Sequence, residues 1–198
     1  MSPASGLRPG LLLAPGAGAD RDQAQLVAVD TAATAAGLTV ERMDFPYRRE
    51  GRRAPDRPPK LIAAVSDAAE ALAARTARPP FLGGRSMGGR MCSMAVAEGL
   101  PAAGLILISY PLHPPGRPDR MRTEHLPALV VPCLFVSGTR DAFGTPDELE
   151  EATAAIPGPV IHHWIEGGDH GLRRSDAEVA GAVVRWVETR LAQTPLTS

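Results

Sequence analysis

The chain has 198 residues, 44% of them hydrophobic and 22% charged, with a formal net charge of -1. That length is ample for one hydrophobic core and short for two, so a single domain spanning residues 1–198 is expected. The balanced charge argues against a nucleic-acid partner. No apolar run approaches the roughly 18 residues that span a bilayer, and the start lacks a charged-then-apolar leader, so no membrane partner and a cytoplasmic location are expected.

The elements follow in chain order. Leu11 to Ala14 reads as a buried strand, followed by the glycine-rich Pro15-Gly16-Ala17-Gly18-Ala19. Those glycines could open a dinucleotide fingerprint, but Arg21 stands where its third glycine should be. Asp20 is placed to cap a helix whose Leu26, Val29 and Ala33 share one face before Gly37 ends it. Leu38 to Phe45 reads as the second strand, and a basic, irregular stretch runs on to Arg57. Its arginines either pair with nearby acids or recognise an anionic substrate group. Leu61, Val65, Ala68 and Leu72 keep helical spacing. Pro79 to Gly83 reads as a short strand, Met87 to Glu98 as a helix, and Gly104 to Ile108 as the fourth strand. A proline-stiffened loop from Tyr110 to Pro118 precedes the strand Pro132 to Gly138. Thr145-Pro146-Asp147-Glu148 has the pattern of a capping box with proline at the first helical position. Val160 to Ile165 is the sixth strand, and Ser175 with Glu178 opens a last helix that turns Val179, Val183 and Trp186 inward. Six strands alternating with helices imply an α/β fold: a doubly wound, mostly parallel six-stranded sheet.

Gly84-Arg85-Ser86-Met87-Gly88 is a G-x-S-x-G between a strand and a helix, which is the context of a nucleophile elbow. A serine needs a base to act as a nucleophile at neutral pH, and the order expected after this elbow is an acid, then a histidine. Asp141 lies just past the fifth strand and His170 just past the sixth, on a glycine-rich loop. In a parallel sheet those strand ends share one edge. Ser86, Asp141 and His170 are therefore the candidate catalytic residues. Asp169 is the rival acid, but an immediate neighbour reaches the far imidazole nitrogen poorly, and shaping the histidine loop suits it better. Acyl transfer also needs oxyanion donors. These are expected to be the backbone N–H of Met87 and that of Ala17, with Gly18 as the alternative. Tyr47, Leu112 and His113 are expected to wall the pocket, because their loops leave strand ends on the same edge. Cys92 and Cys133 read as small buried residues rather than a disulfide pair. No cysteine and histidine spacing suggests a metal, and no cofactor is implied.

Taken together, Gly83 to Arg90, Phe45-Pro46-Tyr47, Tyr110 to Gly116 and Gly138 to Gly144 resemble the α/β-hydrolases. More narrowly, they resemble a short, lidless group near the dienelactone hydrolases that includes the testis-expressed and non-specific-lethal-complex hydrolase-like proteins. The resemblance covers nearly the whole chain. It implies a minimal α/β-hydrolase fold without a cap domain, catalytic residues at Ser86, Asp141 and His170, and hydrolysis of a small-molecule ester or thioester. Two departures stand out. Pro15 occupies the place of the histidine that often precedes the oxyanion glycine, and the segment before Leu11 is too short for the first strand pair of the full eight-stranded fold. A dienelactone hydrolase proper carries cysteine as its nucleophile, so Ser86 argues against that substrate. The alternative reading is a hydrolase-fold interaction module whose catalysis is vestigial.

Overall fold

The apolar runs in this chain are too continuous for one-sided strands, and the structure buries them on both faces of one sheet. The computed structural model describes residues 8–193. Six strands, β1 (Leu11–Ala14), β2 (Val40–Arg42), β3 (Phe81–Arg85), β4 (Gly104–Ile108), β5 (Cys133–Gly138) and β6 (Val160–Ile165), pair in the order β2-β1-β3-β4-β5-β6. Every pairing is parallel. Successive strand residues face opposite sides. Leu12, Leu82, Leu105, Leu107, Cys133 and Phe135 pack on one face, with α3 (Pro58–Thr76), α4 (Met87–Ala97) and α5 (Pro146–Thr153). Leu11, Leu13, Ile106, Ile108, Leu134 and Val136 pack on the other, against α1 (Ala24–Ala35) and α6 (Asp176–Gln193). Each such fully buried side chain is worth about 1.5–3 kcal/mol.

Several boundaries differ from the sequence reading for local physical reasons. Asp20 does not cap α1, which starts at Ala24 behind Gln23. Its carboxylate instead closes its own turn, accepting from the Asp22 N–H at 3.1 Å, and pairs with Arg48 at 3.2 Å. The β2 strand keeps only three of the eight expected residues. It is a sheet edge, and Pro46 soon opens a helical turn, α2 (Pro46–Arg49), in the stretch expected to be irregular. The β3 strand starts at Phe81, whose N–H donates to Gly10 O at 2.8 Å. Pro79 and Pro80 have no N–H to enter the ladder. The Thr145 to Glu148 capping box closes reciprocally at the start of α5. Between β4 and β5 the chain forms only a three-residue 3-10 turn, Leu126–Ala128, so nothing resembling a helical cap lies there. Among the described residues, no helix is long and apolar enough to cross a membrane. Cys92 and Cys133 are both free and buried, and burial pushes each thiol up to about 12.

The sheet order reverses direction between β1 and β3, and in such sheets a crevice opens at that switch, beyond the carboxyl ends of the strands. Backbones meet closely there. A Cβ on Gly84 would run into Ala14 O and sit 2.9 Å from Gly88 C and Gly89 N, so β1, β3 and α4 leave it no space. Gly84→Ala should therefore lower stability by about 2 kcal/mol or more, measured as a urea midpoint shift. A wild-type midpoint would contradict this packing.

On the α4 side of the sheet a small polar cluster is partly buried. The Ser93 hydroxyl donates to Arg90 O at 2.9 Å and lies 2.8 Å from His125 Nε2. Burial, reinforced by repulsion from the Arg90 guanidinium, pushes the His125 imidazole down to about 4, against a weaker pull upward from Glu124. An unfolded chain takes up that proton near the ordinary value of about 6.5. The unfolded state thus binds more protons between these two values, so stability should fall as pH drops from about 6.5 to about 4. Urea midpoints across that window test this. His125→Gln should flatten the slope, and an unchanged slope in that variant would assign the loss to other groups.

Candidate active site

Ser86 sits between β3 and α4 at φ 50° and ψ -117°, a backbone that non-glycine residues rarely adopt. Strain of this kind costs about 1–3 kcal/mol and persists only where surrounding structure enforces it. The Ser86 N–H donates to Ile108 O at 2.8 Å, tying the turn to β4, while Gly84 and Gly88 both press on Ala14 O. The hydroxyl is thereby held out of the sheet edge.

The structure joins the three residues of the expected order into one hydrogen-bonded chain. His170 Nε2 lies 2.9 Å from Ser86 Oγ. On the opposite side of the ring, Nδ1 lies 3.0 and 2.8 Å from the two carboxylate oxygens of Asp141. With the ring neutral, Nδ1–H donates to Asp141, and Nε2 is left to accept from the serine hydroxyl. Asp141 is only 2% exposed and also accepts from the Phe143 N–H at 2.8 Å, so its carboxylate is fixed on two sides. Asp169 accepts from the Gly171 N–H at 2.9 Å and so braces the histidine loop rather than the ring.

The acid and histidine loops are laced to each other. The Arg140 N–H donates to Gly168 O at 2.9 Å, and the Gly167 N–H to Thr139 Oγ1 at 2.8 Å. Gly138 lies so close to Gly168 O that a Cβ there would overlap it. Leu172, fully buried, anchors the far end of the loop in the core beneath α1 and α6.

Three further residues position this chain and escaped the sequence reading. Phe143 stacks on the His170 ring, with centroids 3.9 Å apart and planes at 25°. Gln25, from α1, donates from Nε2 to Gly171 O at 2.6 Å. Arg85, the variable residue before the serine, donates from Nη2 to His170 O at 2.7 Å, and its Nη1 approaches Gly16. It thus spans the gap between the loop after β1 and the histidine loop. Burial lowers the Arg85 guanidinium from its ordinary value, while Asp141 and Asp169 pull it back up. The signal for Arg85 was a cation inside an otherwise small-residue elbow. Gln25 and Phe143 gave none, because their contacts depend on how distant segments come together.

Ala17 and Met87, the expected oxyanion donors, lie at the crevice. Met87 is the first residue of α4, where backbone N–H groups lack helical partners. In the loop after β1, the Gly16 N–H donates to Gln23 Oε1 at 3.0 Å, the Gly18 N–H to Tyr47 Oη at 3.1 Å, and the Ala19 N–H to Gly16 O at 3.2 Å. Gly18, the alternative donor, is therefore engaged, and Ala17 remains at the exposed tip.

The expected pocket walls need correction. Tyr47 and Leu112 are fully buried, and His113 is only 5% exposed. Tyr47 stacks near Phe45 and supports the loop after β1 through Gly18. Leu112 packs in the core, and His113 Nδ1 lies 2.8 Å from Pro114 O with Nε2 3.4 Å from Glu148. Apolar, proline-rich loops after strand ends fold inward here rather than standing as walls. Part of the basic stretch is paired with acids: Arg48 with Asp20, Arg52 with Glu50 and Asp56, and Lys60 with the same two acids. Among the described residues no cluster of three or more histidine, cysteine, aspartate or glutamate side chains could hold a metal ion.

This architecture recurs in solved structures. Est1E from Butyrivibrio proteoclasticus, in a structure with ferulic acid bound, superposes with a TM-score of 0.78 at 18% identity, over 96% of this chain and 92% of that one. The dienelactone hydrolase of Anabaena variabilis gives 0.75 at 20% identity, over 93% and 88%. An alpha-beta serine hydrolase homologue from Coxiella burnetii gives 0.74 at 16%, over 92% and 87%. At these identities the likeness is one of fold. The sequence itself carries the family assignment: residues 8–189 match the alpha/beta hydrolase domain family, and the chain belongs to it.

Proposed function

We propose that the protein is a serine hydrolase of small acyl esters or thioesters that works through an acyl-enzyme. The observation that carries this reading is the continuous chain from Asp141 through His170 to Ser86 Oγ, with Nε2 and Oγ 2.9 Å apart. Ser86 Oγ attacks the acyl carbonyl carbon as its proton passes to His170 Nε2. Asp141 holds the ring and stabilises the imidazolium that forms. The Met87 and Ala17 N–H groups receive the negative charge that develops on the carbonyl oxygen. When the tetrahedral intermediate collapses, the leaving alkoxide or thiolate takes the proton from Nε2. Water then repeats the sequence, giving the acid and restoring Ser86. Phe143 and Arg85 serve this chemistry indirectly, by keeping the imidazole at its distance.

Hydrolysis of 4-nitrophenyl acetate tests the reading. Ser86→Ala should lose turnover by roughly 10⁴-fold or more, and Asp141→Asn by about 10⁴, each with a melting temperature close to wild type. A folded Ser86→Ala protein with undiminished turnover would overturn the assignment, and a silent wild-type protein would favour an interaction module.

The lack of α-helices between β4 and β5 has consequences for the substrate. With no cap over the crevice, little of a long acyl chain is buried, at about 0.8 kcal/mol for each CH₂ that is. Catalytic efficiency should therefore vary by less than about tenfold from acetyl to decanoyl esters. A steeper rise would require a deep apolar tunnel and would count against an open cleft.

A further inference from the structure

Arg48 and Arg52 of the arginine-rich loop are neutralised by acids, whereas two half-buried arginines near the elbow, Arg90 and Arg122, are not. We propose that Arg90 and Arg122 form an oxyanion-binding subsite next to Ser86, so that the ester hydrolysed carries a carboxylate or phosphate group. This rests on the hydrolase reading and narrows its substrate class.

Arg90 is in the first turn of α4, and its N–H donates to Ser86 O at 3.1 Å. Helical side chains lean toward the helix N-terminus, so the guanidinium is directed toward the end of α4 that carries Ser86. Its Nε is buried and has no hydrogen-bond partner.

Arg122 is held at the same edge by the loop after β4. Its N–H donates to Leu112 O at 2.8 Å, its carbonyl accepts from Tyr110 Oη at 2.8 Å, and its Nη1 donates to Pro111 O at 3.3 Å. One residue on, the His113 N–H donates to Phe143 O at 3.0 Å, and Phe143 stacks on His170. The loop that fixes Arg122 is thus tied directly to the candidate catalytic histidine.

The two guanidiniums repel. Burial lowers the Arg122 guanidinium from its ordinary value, and Arg90 lowers it further. Some arginines are neutralised directly, as Arg42 is by Asp22 and Asp30 and Arg52 by Glu50 and Asp56. Among the described residues no carboxylate pairs with Arg90 or Arg122. Like charges drawn together without a counter-ion disfavour the fold, and a ligand oxyanion supplies the missing charge. Guanidinium forks suit carboxylate and phosphate oxygens alike.

Two measurements test the subsite. In the first, melting of the wild-type protein is followed with sodium succinate, inorganic phosphate or chloride at equal ionic strength. Succinate, phosphate or both should raise the melting temperature above chloride, and the more effective anion identifies the group. Arg122→Gln should weaken that binding about tenfold or more, the effect of losing a charge-assisted hydrogen bond. In the second, the ratio of kcat/KM for 4-nitrophenyl hemisuccinate over 4-nitrophenyl acetate should exceed one in wild type and fall about tenfold in Arg122→Gln, with Arg90→Gln moving it the same way. Anion protection without turnover of either ester supports the subsite and overturns the hydrolase reading. Turnover of both esters at equal efficiency, with no protection beyond chloride, overturns the subsite and leaves the hydrolase reading standing. The wild-type comparison needs no variant, so a variant that fails to fold does not shield the proposal.

Discussion

The left-handed backbone at Ser86 is the constraint on which the rest of this site depends. A serine does not choose φ 50° unaided; β1, β3, β4 and α4 impose it by meeting where only glycines fit. Because Gly84 and Gly88 have no Cβ, the elbow sits directly on Ala14 O, and because the Ser86 N–H is bonded to β4, it cannot relax sideways. The strain is small beside the burial of the strands around it, and it holds the hydroxyl toward a histidine that arrives from the far side of the sheet.

That arrival is governed by a second set of contacts. The acid and histidine loops are bonded to each other independently of Ser86, so Asp141 and His170 are held together as one unit. Arg85 then joins that unit to the loop after β1, where the candidate oxyanion donor Ala17 lies. A long cation threaded between two glycine-rich loops is an effective spacer: it is half-buried, it fixes one loop through a carbonyl, and the neighbouring Asp141 and Asp169 offset part of the cost of burying it. Phe143 and Gln25 close the remaining freedom of the imidazole and its loop.

How much of this can be read from the sequence depends on the range of the signal. Strand cores such as Gly104 to Ile108, the Thr145 capping box and the elbow are local patterns with local causes, and the parallel sheet follows from the alternation of strands with helices. That Ser86, Asp141 and His170 come together was legible because each stands at the end of a strand in a fixed order. Boundaries failed where a neighbour overrode a local preference, as at Asp20, whose carboxylate is taken by its own turn and by Arg48. Tyr47, Leu112 and His113 were misread because a loop at the active edge can be wall or core, and only tertiary packing decides between them. The acid partners of Arg48 and Arg52, and the lack of any carboxylate beside Arg90 and Arg122 among the described residues, are likewise invisible in composition, since both depend on which acids lie within about 4 Å in space.

The central claim is that Ser86 alone among the serines of this chain is a nucleophile. Ser93, Ser109 and Ser137 are fully buried, and none of them contacts the His170 ring. A fluorophosphonate probe followed by peptide mass spectrometry tests this claim most directly. The account predicts a single adduct on the peptide containing Ser86, lost in Ser86→Ala. An adduct on another serine, or none on the folded wild-type protein, would contradict it.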